Sequence, residues 1–223
     1  MSEEKLKITL SANAGVCIEL CGRRYYIDAL HNSPSLCFSA LSGDMAERFI
    51  SAAGAPDIVI YTHTHPDHYS EPLAKKLMSE NPGAVLIMPD GEKDISTGFE
   101  EIELIKLTHM GEYRDYPNYG IIINSGGKKL FASGDSDPQN EEVIEKISGL
   151  NPDFALLNFN WITLRSGRNA LALLNPRSAA FAHLPYPEED SEGYVRPTLR
   201  CRDRFSPQSA VLCSFLQTET IVI

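Results

Sequence analysis

Residues 58–68 read Ile58-Val59-Ile60-Tyr61-Thr62-His63-Thr64-His65-Pro66-Asp67-His68. The first four are a short, wholly apolar run, the pattern of a strand buried on both faces. Behind it stand His63, His65, Asp67 and His68, three imidazoles and one carboxylate in a single polar loop. In extended backbone alternate side chains point the same way, so His63 and His65 can grip one ion together. Asp67 and His68 follow as the chain turns towards Ser70, Glu71 and Pro72, which read as the cap and first turn of a helix to about Ser79. They can address a second ion close by. Neutral imidazole and carboxylate suit zinc, iron or manganese, and the absence of thiolate from the run argues against a structural zinc–cysteine site. A merely solvated polar loop would rarely concentrate histidine in this way.

The pattern on either side is strand-rich. Leu6, Ile8 and Leu10 share one face, Val16, Ile18 and Leu20 another, and Cys21-Gly22-Arg23 reads as a tight turn into Tyr25-Tyr26-Ile27. Met45, Phe49 and Ile50 recur at helical spacing over residues 44–53, with Gly54 as the stop. Strands are expected over 84–88, 102–107, 120–124, 129–133, 154–157, 179–182 and 210–215. Ser125-Gly126-Gly127 is a hairpin signal, and Asn140 caps a helix to about Ile147. The stretch 196–204 is polar and Arg-rich. No repeat or linker interrupts the chain, so one layered domain over residues 1–223, α/β or α+β, is expected.

Composition excludes several classes. The chain has 223 residues, 43% of them hydrophobic and 22% charged, values of an ordinary globular protein. A net charge of -10 makes nucleic acid and anionic membranes poor partners. No apolar run approaches the roughly 20 residues of a spanning helix, and the first residues lack the order of a signal peptide, so a cytoplasmic location is expected. The cysteines Cys17, Cys21, Cys37, Cys201 and Cys213 form no Cys-x-x-Cys pair and read as small apolar residues.

The motif His63-x-His65-x-Asp67-His68 after a buried strand resembles the signature of the metallo-β-lactamase superfamily. Four further positions carry the resemblance. His109 follows the expected strand at 102–107, Asp135 lies in Ser133-Gly134-Asp135-Ser136, His183 follows 179–182, and Tyr26-Ile27-Asp28 resembles the first motif of that family. The resemblance spans Ile8 to about Pro185 and implies an α+β, four-layer αββα sandwich. It implies that His63, His65 and His109 bind one divalent ion, that Asp67, His68 and His183 bind a second, and that Asp135 bridges them. Asp28 would orient a ligand imidazole without touching metal. Zinc is the expected ion, with manganese or iron as alternatives. His31 fits no ligand slot; it could line the pocket or lie on the surface.

The implied chemistry is hydrolysis by water activated between two ions, with Asp67 and Asp135 as the catalytic carboxylates. The wording of the motif is similar to the small branch around ascorbate-6-phosphate lactonase, which implies an ester or lactone bond of a small, anionic metabolite. A phosphodiester and a metal-binding protein without catalysis are the alternatives. Asn160, Trp161, Arg165 and Arg168 stand in one polar stretch, where guanidinium forks beside an aromatic could make an anion pocket. Arginines paired with surface acids are the competing reading. Tyr186, like Tyr113-Arg114, stands just past a candidate ligand histidine.

Overall fold

In the computed structural model, residues 4–32, 38–89, 95–96 and 101–223 are described. In chain order the elements are β1 (Lys5–Leu10), β2 (Val16–Leu20), β3 (Arg23–Ile27), α1 (Gly43–Ala53), β4 (Ile58–Ile60), α2 (Glu71–Glu80), β5 (Val85–Ile87), β6 (Ile95–Ser96) and β7 (Ile102–Thr108). There follow β8 (Pro117–Ser125), β9 (Lys128–Ala132), α3 (Glu141–Ile147), β10 (Phe154–Asn158), α4 (Asn160–Thr163), α5 (Arg165–Leu174), β11 (Ser178–Ala182), α6 (Val195–Phe205), β12 (Ala210–Val211) and β13 (Thr218–Val222). The chain divides into two units. Met1–Met88, His183–Val195 and Leu212–Val222 make the first, and Pro89–Ala182 with Arg196–Val211 makes most of the second.

The first unit is built on a sheet of order β13-β1-β2-β3-β4-β5. Its first half is antiparallel: β13 returns beside β1, and short connections join β1 to β2 and β2 to β3. Cys21 and Gly22 alone join β2 to β3, both at positive φ (50° and 76°), the backbone of a hairpin turn that matches strand twist. Its second half is parallel, β3 with β4 and β4 with β5, because α1 and α2 intervene as crossovers. Ala46, Phe49 and Ala53 of α1 and Ala74 and Leu77 of α2 are buried in one core with Cys17, Tyr26 and Val59 of the sheet. The parallel strands end together, so the loop after β4 emerges beside Asp28, the residue after β3.

The second unit is built on a sheet of order β12-β11-β10-β9-β8-β7-β6, antiparallel from β6 to β9 and parallel from β9 to β12. Gly126 and Gly127, at φ 59° and 76°, turn β8 into β9 as the hairpin signal requires. Asn140 caps α3, its side chain accepting from the amides of Glu142 and Val143. By contrast Ser70 precedes α2 without a side-chain cap bond.

Several expectations are corrected. The polar stretch after Asn158, for which no element was expected, carries α4 and α5, because Trp161, Ile162, Ala170 and Leu174 turn inwards among polar neighbours. The Arg-rich stretch is α6, whose inward stripe includes Val195 and Thr198; its charged remainder hides the period. The strand expected at 210–215 shortens to Ala210–Val211, while β13 and β6 carried no readable signal. Cys17 and Cys213 are buried as expected, and burial pushes the Cys17 thiol up to about 12. Cys21 is exposed, its thiol donating to Glu4 Oε1 at 2.8 Å; Cys37 lies outside the described residues. Among the described residues no helix is long and apolar enough to cross a membrane.

Candidate metal centre

In the first unit the loop after β4 folds back on itself. The amides of His68 and Tyr69 both donate to the carbonyl of His65 at 2.9 Å, which gathers the imidazoles on one side. The ring centroids of His63 and His68 are 4.0 Å apart, those of His63 and His65 4.7 Å, and that of His183 lies 5.0 Å from His68. Asp67, His68 and His183, all buried, bring one ligand atom each within 4.8 Å of one another. Three donors of that type at that spacing are what a divalent ion asks of a protein. The donor set fits the implied metal.

Asp28 governs the protons of this cluster. It stands at φ 48°, a left-handed conformation that turns the chain at the end of β3, and its amide donates to Ile60 O at 3.0 Å. Its carboxylate accepts from Thr62 N (2.7 Å), Thr62 Oγ1 (2.6 Å) and His68 Nδ1 (2.9 Å). The Thr62 hydroxyl has one proton, and it goes to Asp28. The contact of Thr62 Oγ1 with His63 Nδ1 at 3.0 Å must therefore be donation from the ring. Both His63 and His68 then carry their protons on Nδ1 and their lone pairs on Nε2, the arrangement a ligand histidine needs; that of His63 accepts from His65 Nδ1 at 3.1 Å. The sequence suggested Asp28 for this duty; Thr62 is a partner it missed.

His183 reaches the cluster from the far end of the chain. It too has a left-handed backbone, φ 61°, and its amide donates to Asn13 O at 2.8 Å. Asn13 in turn exchanges two hydrogen bonds with Ser39. Nε2 of His183 lies 3.4 Å from Asp67 Oδ2, and the Phe38 ring packs on its imidazole at 4.2 Å. Tyr186 is buried, with its hydroxyl donating to Ser11 O at 2.6 Å and its amide to Ser39 Oγ. It fastens the loop that carries His183.

The surface alternative for His31 is overturned: the residue is 0% exposed. Its Nε2 donates to Ala12 O at 3.3 Å, while Nδ1 has no hydrogen-bond partner among the described residues. Burial, reinforced by the neighbouring His68, pushes its pKa down to about 4 against the pull of Asp67 and Asp28. It is a neutral imidazole close behind the cluster.

In the second unit His109 follows β7 and Asp135 follows β9. Their main chains are tied by a bridge between His109 and Ser136 and by Met110 N donating to Asp135 O at 2.9 Å. His109 Nδ1 donates to Met110 O at 2.8 Å, so its Nε2 carries the ring's lone pair; it stands 3.6 Å from Asp135 Oδ2. Two asparagines clamp this loop: Asn118 and Asn158. Asn118 Oδ1 accepts from Asp135 N at 3.0 Å, and Asn158 Nδ2 donates to Gly134 O and Ser136 O, both at 3.1 Å. Neither was assigned a role from the sequence, and both lie just outside the strands expected at 120–124 and 154–157.

The anion-pocket residues have other employment. Trp161 is 0% exposed and is a core residue. Arg168 spends Nη1 on the carbonyls of Ile162 and Thr163 and lays its guanidinium over Phe205 at 4.3 Å. Arg165 is exposed at the start of α5. Asn160 Nδ2 reaches Met110 Sδ at 3.1 Å, next to His109. The Tyr113 ring lies 5.8 Å from the His109 ring, and Arg114 Nη2 lies 3.7 Å from Asp137 Oδ2.

No protein-family model matches the chain, and no curated protein sequence does. Solved structures do. Igni18, a metallo hydrolase from the hyperthermophilic archaeon Ignicoccus hospitalis, is similar at TM-score 0.63 and 18% identity, over 98% of this chain and 99% of that one. The metallo-β-lactamase fold protein YhfI from Bacillus subtilis is similar at TM-score 0.61 and 12% identity, over 98% and 100%. A diphosphatase from the PhnP family is similar at TM-score 0.51 and 12% identity, over 98% and 99%. At such identities the likeness shows the fold, and the fold is that of the metallo-β-lactamases.

Proposed function

We propose that this chain is a metal-dependent hydrolase of the metallo-β-lactamase superfamily, acting on an ester or lactone bond of a small anionic molecule. One observation carries the reading. Asp67, His68 and His183, from segments far apart in sequence, gather ligand atoms within 4.8 Å in a buried place, and Asp28 fixes the proton of His68 on the nitrogen away from the lone pair a metal would take. Buried polar clusters of this kind are costly unless something is held there. In the proposal His63, His65 and His109 hold one divalent ion, Asp67, His68 and His183 hold the other, and Asp135 is shared, the whole chain forming one catalytic domain. Nitrogen and oxygen donors suit zinc first, with manganese or iron as alternatives.

When bound, two divalent ions lower the pKa of water towards about 7 and polarise the substrate oxygen. The protein supplies position and proton traffic. Asp67 accepts a hydrogen bond from the attacking water and aims it. Thr62 and Asp28 keep the imidazoles of His63 and His68 in the tautomer that binds. On the second unit Tyr113 packs near His109 and Asn160 touches Met110 beside it, and the exposed guanidinium of Arg114 (67% of its side chain), which lies near Asp137, is suited to an anionic substituent. Arg165 stays a candidate at the substrate's outer end.

A phosphodiester or phosphoanhydride is the second reading, supported by the diphosphatase of like fold. The test is turnover of a panel of lactones, phosphodiesters and thioesters by the protein loaded with zinc, manganese or iron. Lactone hydrolysis that a chelator abolishes and metal restores is expected. Asp67→Ala and Asp135→Ala are expected to abolish it while the far-ultraviolet circular dichroism stays unchanged. Hydrolysis of bis-p-nitrophenyl phosphate alone would select the second reading. Full metal occupancy without turnover of any panel member would leave a binding protein.

A further inference from the structure

We infer that Asn118 is the positioning residue for Asp135, setting the direction of its carboxylate towards the two ions that would share it; the inference rests on the ligand role proposed for Asp135. Asn118 is the second residue of β8, paired in register with Leu107 of β7. His109 comes two residues after Leu107, so one hairpin carries both a proposed ligand and the amide that grips the other.

The loop around Asp135 has little freedom. Gly134 turns it at φ 51°, and Ser136 N donates to Ser133 O, Met110 N to Asp135 O and Asp137 N to Thr108 O. Asn158 holds the carbonyls on either side of Asp135. The N–H of Asp135 itself is left, and Asn118 Oδ1 takes it at 3.0 Å. With that bond both main-chain groups of Asp135 are fixed, one from β8 and one from the residue after His109. Side-chain direction follows from backbone direction, so the amide at 118 controls where the carboxylate points.

A general core-filling role explains Asn118 poorly. It is 0% exposed among apolar strand residues, and its Nδ2 has no hydrogen-bond partner among the described residues. Burying an amide with an idle donor is unfavourable unless the acceptor end performs a needed task. A leucine or valine would fill the strand without that defect. What such residues could not do is hold Asp135.

The test uses the full chain with Co(II) as the probe, measuring stoichiometry, affinity by competition with a chromophoric chelator, and the visible spectrum of the bound ion. Asn118→Ala is expected to keep its circular dichroism while at least one of the two Co(II) affinities falls about 10- to 100-fold. Asn118→Asp keeps an acceptor in the same place and is expected to return within a few-fold of the parent. Wild-type affinity and spectrum in Asn118→Ala would overturn the inference, as would an Asn118→Asp protein as impaired as the alanine variant. Should Asn118→Ala fail to fold, Asn118→Ser replaces it, since its oxygen falls short of the Asp135 amide. Failure of the underlying reading looks different. Asp135→Asn would then bind Co(II) as tightly as the parent, whatever Asn118 does.

Discussion

Replacing Asp28 by asparagine changes one atom's chemistry and nothing of its shape, so its consequences can be worked from the hydrogen bonds alone. Oδ1 can go on accepting from Thr62 N, now at 2.7 Å. The NH2 group, however, would face Thr62 Oγ1, whose hydroxyl could only turn to accept by giving up its present donation, and His68 Nδ1, a donor in its present tautomer, at 2.6 and 2.9 Å. Turning the amide over moves the conflict to Thr62 N. Two bonds to an ionised acceptor are lost, worth roughly 1.5–3 kcal/mol each, and the relief of not burying a charge in a place only 1% exposed returns part of that. A net loss of about 3 kcal/mol is expected. For a chain of this size it corresponds to a fall of roughly 10 °C in Tm. The easiest local escape is for His68 to move its proton to Nε2, which removes the lone pair needed for metal. Metal affinity should therefore fall at least 10- to 100-fold as well. The assays are thermal unfolding of the chelated protein and a zinc titration of the same preparation. An Asp28→Asn protein that melts within about 2 °C of the parent and binds zinc equally well would refute the reasoning.

Other perturbations follow from single sites. His31 is neutral in the fold, its pKa lowered from 6.5 to about 4. The unfolded chain takes up a proton as pH falls through 6.5 and the folded chain does not, so stability is lost between pH 6.5 and 4 and unaffected above. The chelated parent should lose about 2 kcal/mol more than His31→Gln between pH 7 and pH 5, read from urea midpoints; equal losses would count against a buried neutral ring. Gly167→Ala should cost at least about 2 kcal/mol, because a Cβ there would sit 2.2 Å from Asn160 O and 2.7 Å from Trp161 Cα, both backbone. A circular dichroism melt unchanged by this substitution would contradict the packing of α4 on α5. Trp161→Phe should cost about 1–3 kcal/mol, all of it from the cavity left by the smaller ring, since the indole N–H it removes has no hydrogen-bond partner among the described residues. A loss above 3 kcal/mol in urea unfolding would mean that the N–H is satisfied after all.

The run from Ile58 to His68 determined a great deal by itself. A buried strand followed by three imidazoles and a carboxylate leaves few chemistries open, because those donors are costly to bury together without an ion. Period-2 alternation marked β1 and β2, and turn chemistry at Cys21-Gly22 and Gly126-Gly127 marked the hairpins, since only a few residues tolerate positive φ. These signals are local, and local sequence carries them whole. Asn118, Asn13 and Thr62 were decided elsewhere. Each holds a proposed ligand or its neighbour through a main-chain or hydroxyl bond, and a hydrogen bond to backbone leaves no periodicity and no characteristic neighbour in the sequence. Trp161 and Arg168 show the converse. Their types advertise recognition, but whether an indole or a guanidinium faces a ligand or its own fold depends on which helix face the packing turns inwards. The donor types are written in the sequence; which side chains hold them in place was decided by the tertiary structure.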